Sequence, residues 1–123
     1  MEINLEDLKA TLQDFVVERE WQRFHEPKDL ALAISIENGE LSEHFLWKNV
    51  EEARDYVKNE DNMAKIVEEI ADVMIYSLNL VNALERISET HIDIGEAILA
   101  KIEKNAKKYP ATLYRNKARL DKP

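Results

Sequence analysis

The sequence predicts an all-α protein, an antiparallel bundle of four amphipathic helices. Three observations carry that prediction. Apolar residues recur at helical spacing almost throughout the chain. Alternating, β-branched stretches are scarce, and turn signals that would link strands are few, with two glycines and three prolines in 123 residues. Short links between amphipathic helices favour antiparallel neighbours.

The first helix is expected over residues 5–23. Leu5, Leu8, Leu12, Phe15 and Val16 form its stripe, and Asn4 offers a cap with Asp7 three residues on. HEPKD ends it, because Pro27 cannot continue a helix. Asp29 is the expected cap of a second helix over residues 30–47. A charged segment, 48–62, has room for one short helix in VEEARDYVKN. Asp61 or Asn62 opens the third and longest helix, reaching about residue 87, with Ile66, Ile70, Val73, Met74, Ser77, Leu78, Val81 and Leu84 on its stripe. A fourth helix spans residues 92–108, with Ile94, Ile98 and Ile102 inward and Pro110 as its stop. Residues 1–110 are thus expected to form a single domain. The tail, ATLYRNKARLDKP over 111–123, is basic and without pattern, to be disordered or draped over a neighbouring subunit.

Composition excludes several classes of function. With 45% hydrophobic and 34% charged residues the chain is globular. No apolar run approaches eighteen residues and the N-terminal MEINLEDLKA is acidic, so neither a transmembrane helix nor a secretory signal is expected. The absence of cysteine removes disulfides and thiolate chemistry. A cytoplasmic protein fits these features. A net charge of −8 argues against a long nucleic acid as partner, but a small anion remains possible if cations intervene. Gly39 and Gly95 cannot build a GxGxxG or Walker A loop, so any phosphate is held without a glycine-rich cradle.

Four carboxylates stand out. Glu37 shares a helical face with Ile34 and Leu41, and Glu40 follows three residues later. Glu69 lies between Ile66 and Val73, with Asp72 three residues on. A solvated face accounts for most acids of this chain, including Glu51, Glu52 and Glu60, but poorly for Glu37 and Glu69. If the second and third helices pack with these pairs facing, the repulsion among them takes up much of the roughly 5–15 kcal/mol that keeps a domain folded. Protonation, basic partners or divalent cations must then compensate. An all-carboxylate set suits Mg²⁺ or Mn²⁺, and paired acids on facing helices are one way to build a metal site in a bundle. A di-iron site requires Glu-x-x-His on two helices, which neither pair supplies; Glu40 and His44 are four apart. Gly39, between the first pair, serves either close helix packing or space for a metal or phosphate.

Other groups could complete a site. Lys101, Asn105 and Tyr109, in steps of four, place an ammonium, an amide and a phenol along one helix edge, as a phosphate chain or sugar would use. An ordinary polar flank has the same pattern. Trp21 and Trp47 offer flat faces for a nucleobase, or serve as core. His25 and Lys28 flank Pro27, and Tyr76 stands one turn past Asp72.

The set E-N-G-E-L-x-E at 37–43 and E-E-I-A-D-V at 68–73 resembles the all-α nucleoside triphosphate pyrophosphohydrolases of the MazG-like superfamily. EREWQRFHEPKDLALAI at 18–34, the FLW that ends the second helical segment and K-x-x-x-N-x-x-x-Y-P at 101–110 look most similar to its dCTP pyrophosphatase branch. The resemblance spans about residues 15–110. It implies Mg²⁺ held by Glu37, Glu40, Glu69 and Asp72, and triphosphate contacts from Lys101, Asn105 and Tyr109. Base or sugar contacts from Trp21, His25 and Trp47 are implied too, with Lys28 near the phosphates or base and Tyr76 among the substrate contacts. Lys28 stands where some relatives carry arginine, so a point charge replaces a planar fork. The implied reaction is Mg²⁺-dependent hydrolysis of a deoxynucleoside triphosphate, dCTP or a modified dCTP, to the monophosphate and pyrophosphate, as nucleotide-pool house-cleaning. In it Glu40 or Glu37 handles the attacking water and Lys101 stabilises the leaving group. The implied assembly is a homodimer or a dimer-of-dimers tetramer. Broad, dUTP or dATP specificity is the alternative within this class, and a non-enzymatic helical interaction module is the alternative outside it.

Overall fold

The computed structural model describes residues 2–118, and they are all-α, with no strand among them. The chain divides into two compact units, the first running to His91 and the second beginning at Ile92.

In the first unit α1 (Leu5–Glu18) starts as expected, with the Asn4 side chain accepting from the Asp7 amide at 2.9 Å. It ends at Glu18 rather than at residue 23. Glu20 adopts a left-handed conformation, φ 53°. The Glu20 amide donates to the Val17 carbonyl and the Trp21 amide to that of Val16, each at 3.0 Å, which is the bond pair of a Schellman stop. That position favours glycine, so a glutamate there leaves no signal in the sequence. Trp21 folds back edge-on to Phe15, with ring centroids 5.8 Å apart, and a 3₁₀ turn at Gln22–Phe24 follows.

α2 (Pro27–Glu43) begins before the expected cap, with Glu26 at the cap position and Pro27 in the first turn, where its missing N–H costs nothing. Asp29 therefore sits inside the first turn, favourable to the helix dipole, rather than capping it. The C-terminal end also differs from expectation. Residues 44–47 form a turn, and Trp47, expected on the helix, is left-handed at φ 66° and 93% exposed. α3 (Val50–Val57) is the short helix expected in the charged segment. It is held by a capping box in which Asn49 accepts from the Glu52 amide at 2.8 Å and Glu52 accepts from the Asn49 amide at 3.3 Å. α4 (Glu60–Ser88) starts just ahead of the expected Asp61 or Asn62, because Asn59 accepts from the Asn62 amide at 3.0 Å.

α1, α2 and α3 all pack on α4, and α2 has the most extensive contact with it. α2 and α4 run antiparallel. Arg86, near the end of α4, donates to the His25 carbonyl just before α2, at 3.2 Å, while Glu40 near the end of α2 lies beside Glu69. Val16, Leu30, Ile66, Leu78 and Ala83 form a small core. Lys9 is buried too, its ammonium paired with Glu85 and, at 3.6 Å, with Glu6. His91, just before the second unit, contacts Glu85 at 2.9 Å.

The second unit holds α5 (Ile94–Lys108), capped by Asp93 accepting from the Glu96 amide at 3.0 Å, and α6 (Ala111–Tyr114). α6 is a departure from the patternless tail: the Leu113 and Tyr114 amides both donate to the Pro110 carbonyl at 3.0 Å. Tail residues 119–123 lie outside the described residues, and with them that part of the expectation of disorder or draping.

Three stripes are corrected. Leu8 and Phe15 of α1 and Ile70 and Leu84 of α4 are exposed, and so are Ile98 and Ile102 of α5, at 46% and 57%. Helical spacing places residues on one face but does not supply a partner for that face. In the chain taken alone, large apolar side chains of α2, α4 and α5 also face outward, Ile36, Met74 and Leu99 among them. Among the described residues no helix is long and apolar enough to cross a membrane.

A Cβ added to Gly39 meets no atom within 4 Å, so close packing inside the chain is not the reason for this glycine. Gly39→Ala should therefore raise stability by about 0.5–1 kcal/mol, measured by denaturant unfolding. A destabilised variant would place a neighbour against that face.

Candidate metal and substrate site

The antiparallel pairing of α2 and α4 brings the two acid pairs together. One side-chain oxygen from each of Glu37, Glu40 and Glu69 lies within 4.8 Å of the others. Glu37 and Glu69 are half-buried and Glu40 is exposed. Asp72 is half-buried and outside that triangle, yet its charge acts on both Glu37 and Glu69.

The electrostatics are those of a site short of positive charge. Burial, first, pushes the Glu37 carboxyl above the ordinary carboxylate range; Glu40, as hydrogen-bonding neighbour and as charge, then Asp72 and Glu69 add to the rise. Glu69 is raised by burial, by Glu40 and by Asp72, while His44 pulls it the other way. Glu37 Oε2 and Glu69 Oε2 are buried without a hydrogen-bond partner. Among the described residues no lysine or arginine pairs with any of the four acids. Orphaned anionic oxygens in a like-charged cluster are costly unless a cation completes them. The donor set, all carboxylate oxygen, fits a hard divalent ion.

Beside the cluster lies a cavity of ≈ 370 Å³ lined by Glu40, Glu43, His44, Lys48, Tyr56 and Glu69. His44 Nδ1 and the Tyr56 hydroxyl are hydrogen-bonded at 2.9 Å. Lys48 Nζ donates to the His44 carbonyl at 2.7 Å and sits 4.3 Å from the centre of the Tyr56 ring. In the sequence His44 stands out only by its spacing from Glu40, and Lys48 and Tyr56 not at all. Yet Glu40, His44 and Lys48 recur in steps of four, a spacing that marks one helical edge. Tyr56 comes from α3, and nothing in the sequence couples it to that edge.

Tyr76 is half-buried on α4, one turn beyond Asp72. His25 and Lys28 are away from the acids. The His25 backbone is fixed to Arg86, which lies seventeen residues beyond Glu69, about 25 Å along α4. Burial first, and the Arg86 charge second, lower the His25 pKa. Trp21 and Phe24 line a surface hollow with Arg19, Glu20 and Arg23. Lys101 and Asn105 are exposed on α5, and the Tyr109 ring, at its end, packs edge-on to Tyr114 at 5.2 Å.

An antiparallel helix pair presenting two acid pairs to each other, inside an all-α fold, defines a class that comparison identifies. A model of the MazG-like family matches residues 32–117, a stretch that contains all four acids, and the chain belongs to this family. dCTP pyrophosphatase 1 of Rattus norvegicus is 35% identical over 117 residues, covering 95% of this chain and 65% of that protein. Its counterpart in Homo sapiens is 36% identical over 118 residues, covering 96% of this chain and 66% of that protein. The chain thus spans about two thirds of the length of these curated relatives. The crystal structure of a pyrophosphatase from Archaeoglobus fulgidus is similar with a TM-score of 0.73 and 38% identity, over 89% of this chain and 95% of that one.

Proposed function

We propose that this protein hydrolyses a deoxynucleoside triphosphate, dCTP or a modified dCTP, to the monophosphate and pyrophosphate in the presence of Mg²⁺. The observation that carries the reading is the convergence of Glu37, Glu40 and Glu69, two of them with an orphaned buried oxygen. The similarity to proteins named dCTP pyrophosphatase 1 supplies the substrate class. Glu37, Glu40, Glu69 and Asp72 would hold Mg²⁺, with Mn²⁺ as a substitute. The bound ion supplies charge neutralisation for phosphate oxygens and acidification of water. Glu40 or Glu37 orients the attacking water and accepts its proton. Lys101 stabilises charge on the departing pyrophosphate, with Asn105 and Tyr109 on the phosphate chain. Trp21, His25, Lys28, Trp47 and Tyr76 form the base and sugar side.

The separation of His25 from the acids along α4 supports a site completed across subunits, in a homodimer or a dimer of dimers. The outward-facing apolar side chains of α2, α4 and α5 support the same assembly. In this reading residues 1–110 are one catalytic domain, the basic 111–123 segment is its tail, and the protein acts in the cytoplasm to clean the nucleotide pool.

A panel of deoxynucleoside triphosphates with Mg²⁺, scored separately for pyrophosphate and orthophosphate, tests the proposal. Pyrophosphate release with dCTP preferred is the expected result. Equal turnover of dUTP and dATP would replace the base assignment by broad specificity. Orthophosphate release, or no turnover of any triphosphate, would overturn the reaction. Trp47→Ala should raise KM or blur base preference; unchanged kinetics with all four bases would remove Trp47 from the pocket.

A further inference from the structure

The cavity beside the acid cluster has an anionic wall, Glu40, Glu43 and Glu69, and a second wall made of His44, Lys48 and Tyr56. Phosphate oxygens not covered by Mg²⁺ on the acids would be met from this cavity by donors among His44, Lys48 and Tyr56, since its carboxylates repel them. The Lys48 ammonium already donates to the His44 carbonyl at 2.7 Å and lies over the Tyr56 ring at 4.3 Å. It thereby satisfies a carbonyl just past the end of α2, an ordinary task for lysine at a helix C-terminus. His44 differs. Its ring is half-buried, its Nδ1 is tied to the Tyr56 hydroxyl at 2.9 Å, it acts on Glu69 through charge, and no hydrogen bond engages its Nε2 among the described residues. The ring is thus fixed on one nitrogen and available on the other, the usual device for orienting an imidazole toward a ligand. Tyr56 is itself held by α3, whose packing on α4 places the hydroxyl beside the end of α2; Asn62 on α4 bonds the Tyr56 carbonyl at 3.0 Å.

We propose that His44 is a further phosphate-contacting residue of this site, donating from Nε2 to the phosphate chain, and that Tyr56 is its positioning residue. This rests on the reading of the site as a triphosphate site. It adds two residues of this chain, brought from α3 and from the turn after α2, to the acids that the helix pair supplies.

The test uses the full chain with three single variants and one double variant, and three readouts: the kinetics of pyrophosphate release, the affinity for a non-hydrolysable deoxynucleoside triphosphate analogue with Mg²⁺, and stabilisation by Mg²⁺ alone. His44→Asn keeps a polar group near the Nδ1 position and removes the distal donor. Triphosphate KM and analogue Kd should both rise about 10-fold or more, the scale of one lost hydrogen bond to a charged group. His44→Gln restores an amide donor near the Nε2 position and should recover much of that loss. Tyr56→Phe keeps the ring beneath Lys48 and against Phe45 and removes only the orienting hydroxyl. It should give a smaller rise in KM, absent once His44 is already Asn, because the two act through one contact. The Mg²⁺ concentration needed to stabilise the protein without triphosphate should stay as in the wild type for all variants. Unchanged KM and Kd in His44→Asn and Tyr56→Phe would overturn the proposal, as would additive effects of the two. A weakened Mg²⁺ response with unaltered analogue affinity would overturn it too, by showing that His44 serves the metal ligands instead. A wild type that binds the analogue but releases no pyrophosphate refutes the catalytic reading while leaving the analogue affinities to decide on His44. A wild type that does not bind it at all overturns both.

Discussion

Glu37→Gln should lower kcat for pyrophosphate release by about 100-fold to 10,000-fold and, in EDTA, melt at a higher temperature than the wild type. The two effects have one cause. The Glu37 carboxylate is half-buried beside Glu40 and Glu69, and its Oε2 has no hydrogen-bond partner. Without a cation this group opposes folding; with one it is a ligand and a candidate base, and losing such a group costs on the order of 10²–10⁴ in rate. Glutamine preserves shape and removes charge. Asp72→Asn should act in the same direction. Glu51→Gln on α3, an exposed acid, serves as control and should leave both measurements unchanged. Full activity in purified Glu37→Gln sinks its metal role. A lower melting temperature in EDTA sinks the account of the cluster as repulsive.

Mg²⁺ should raise the melting temperature by about 10 °C at a hundredfold excess over its dissociation constant, and that rise should grow with pH. Glu37 and Glu69 are both held above the ordinary carboxylate range in the fold, burial being the first cause for each. A carboxyl with a raised folded-state pKa binds its proton more tightly folded than unfolded. Its contribution to stability is therefore fully present below the unfolded pKa and is lost as pH rises through the folded one. In EDTA, then, this contribution makes the protein less stable from the ordinary carboxylate range upward. Over the same window protons cease to compete with Mg²⁺, so metal stabilisation increases. Melting curves with and without Mg²⁺ across that range provide the check. A Mg²⁺ effect that is absent, or that shrinks as pH rises, would contradict the assignment of these two groups as ligands. A non-enzymatic helical scaffold need not respond to Mg²⁺ at all.

Much of the fold was legible because helical periodicity is a local property. Asn4 and Pro110 mark helix boundaries by local chemistry, and the short helix around Tyr56 lies in the charged segment expected to hold one, whereas Pro27, expected to stop the first helix, opens α2. The misplaced boundaries have equally local causes of another kind. The end of α1 depends on Glu20 and the turn after α2 on Trp47, both in left-handed conformations that glycine would have announced. Neither residue type carries that signal, so the first two helices were expected to run too far. The inward assignment of Ile98 and Ile102 failed for a different reason, since a stripe defines a face without saying what covers it.

By itself, the sequence determined the all-α class, the oxygen-only character of the candidate site and the four acids worth placing in it. Residue chemistry and spacing along one helix suffice for these. Only the tertiary structure decided that α2 and α4 run antiparallel with Glu37 and Glu40 beside Glu69, and that His44 is tied to Tyr56 of a third helix. It also decided that the backbone of His25 is fixed to Arg86, far from the acids along the chain's own α4. Each of these depends on which residues distant in sequence meet across a helix interface, and that is set by packing summed over the whole core, small as it is in this chain.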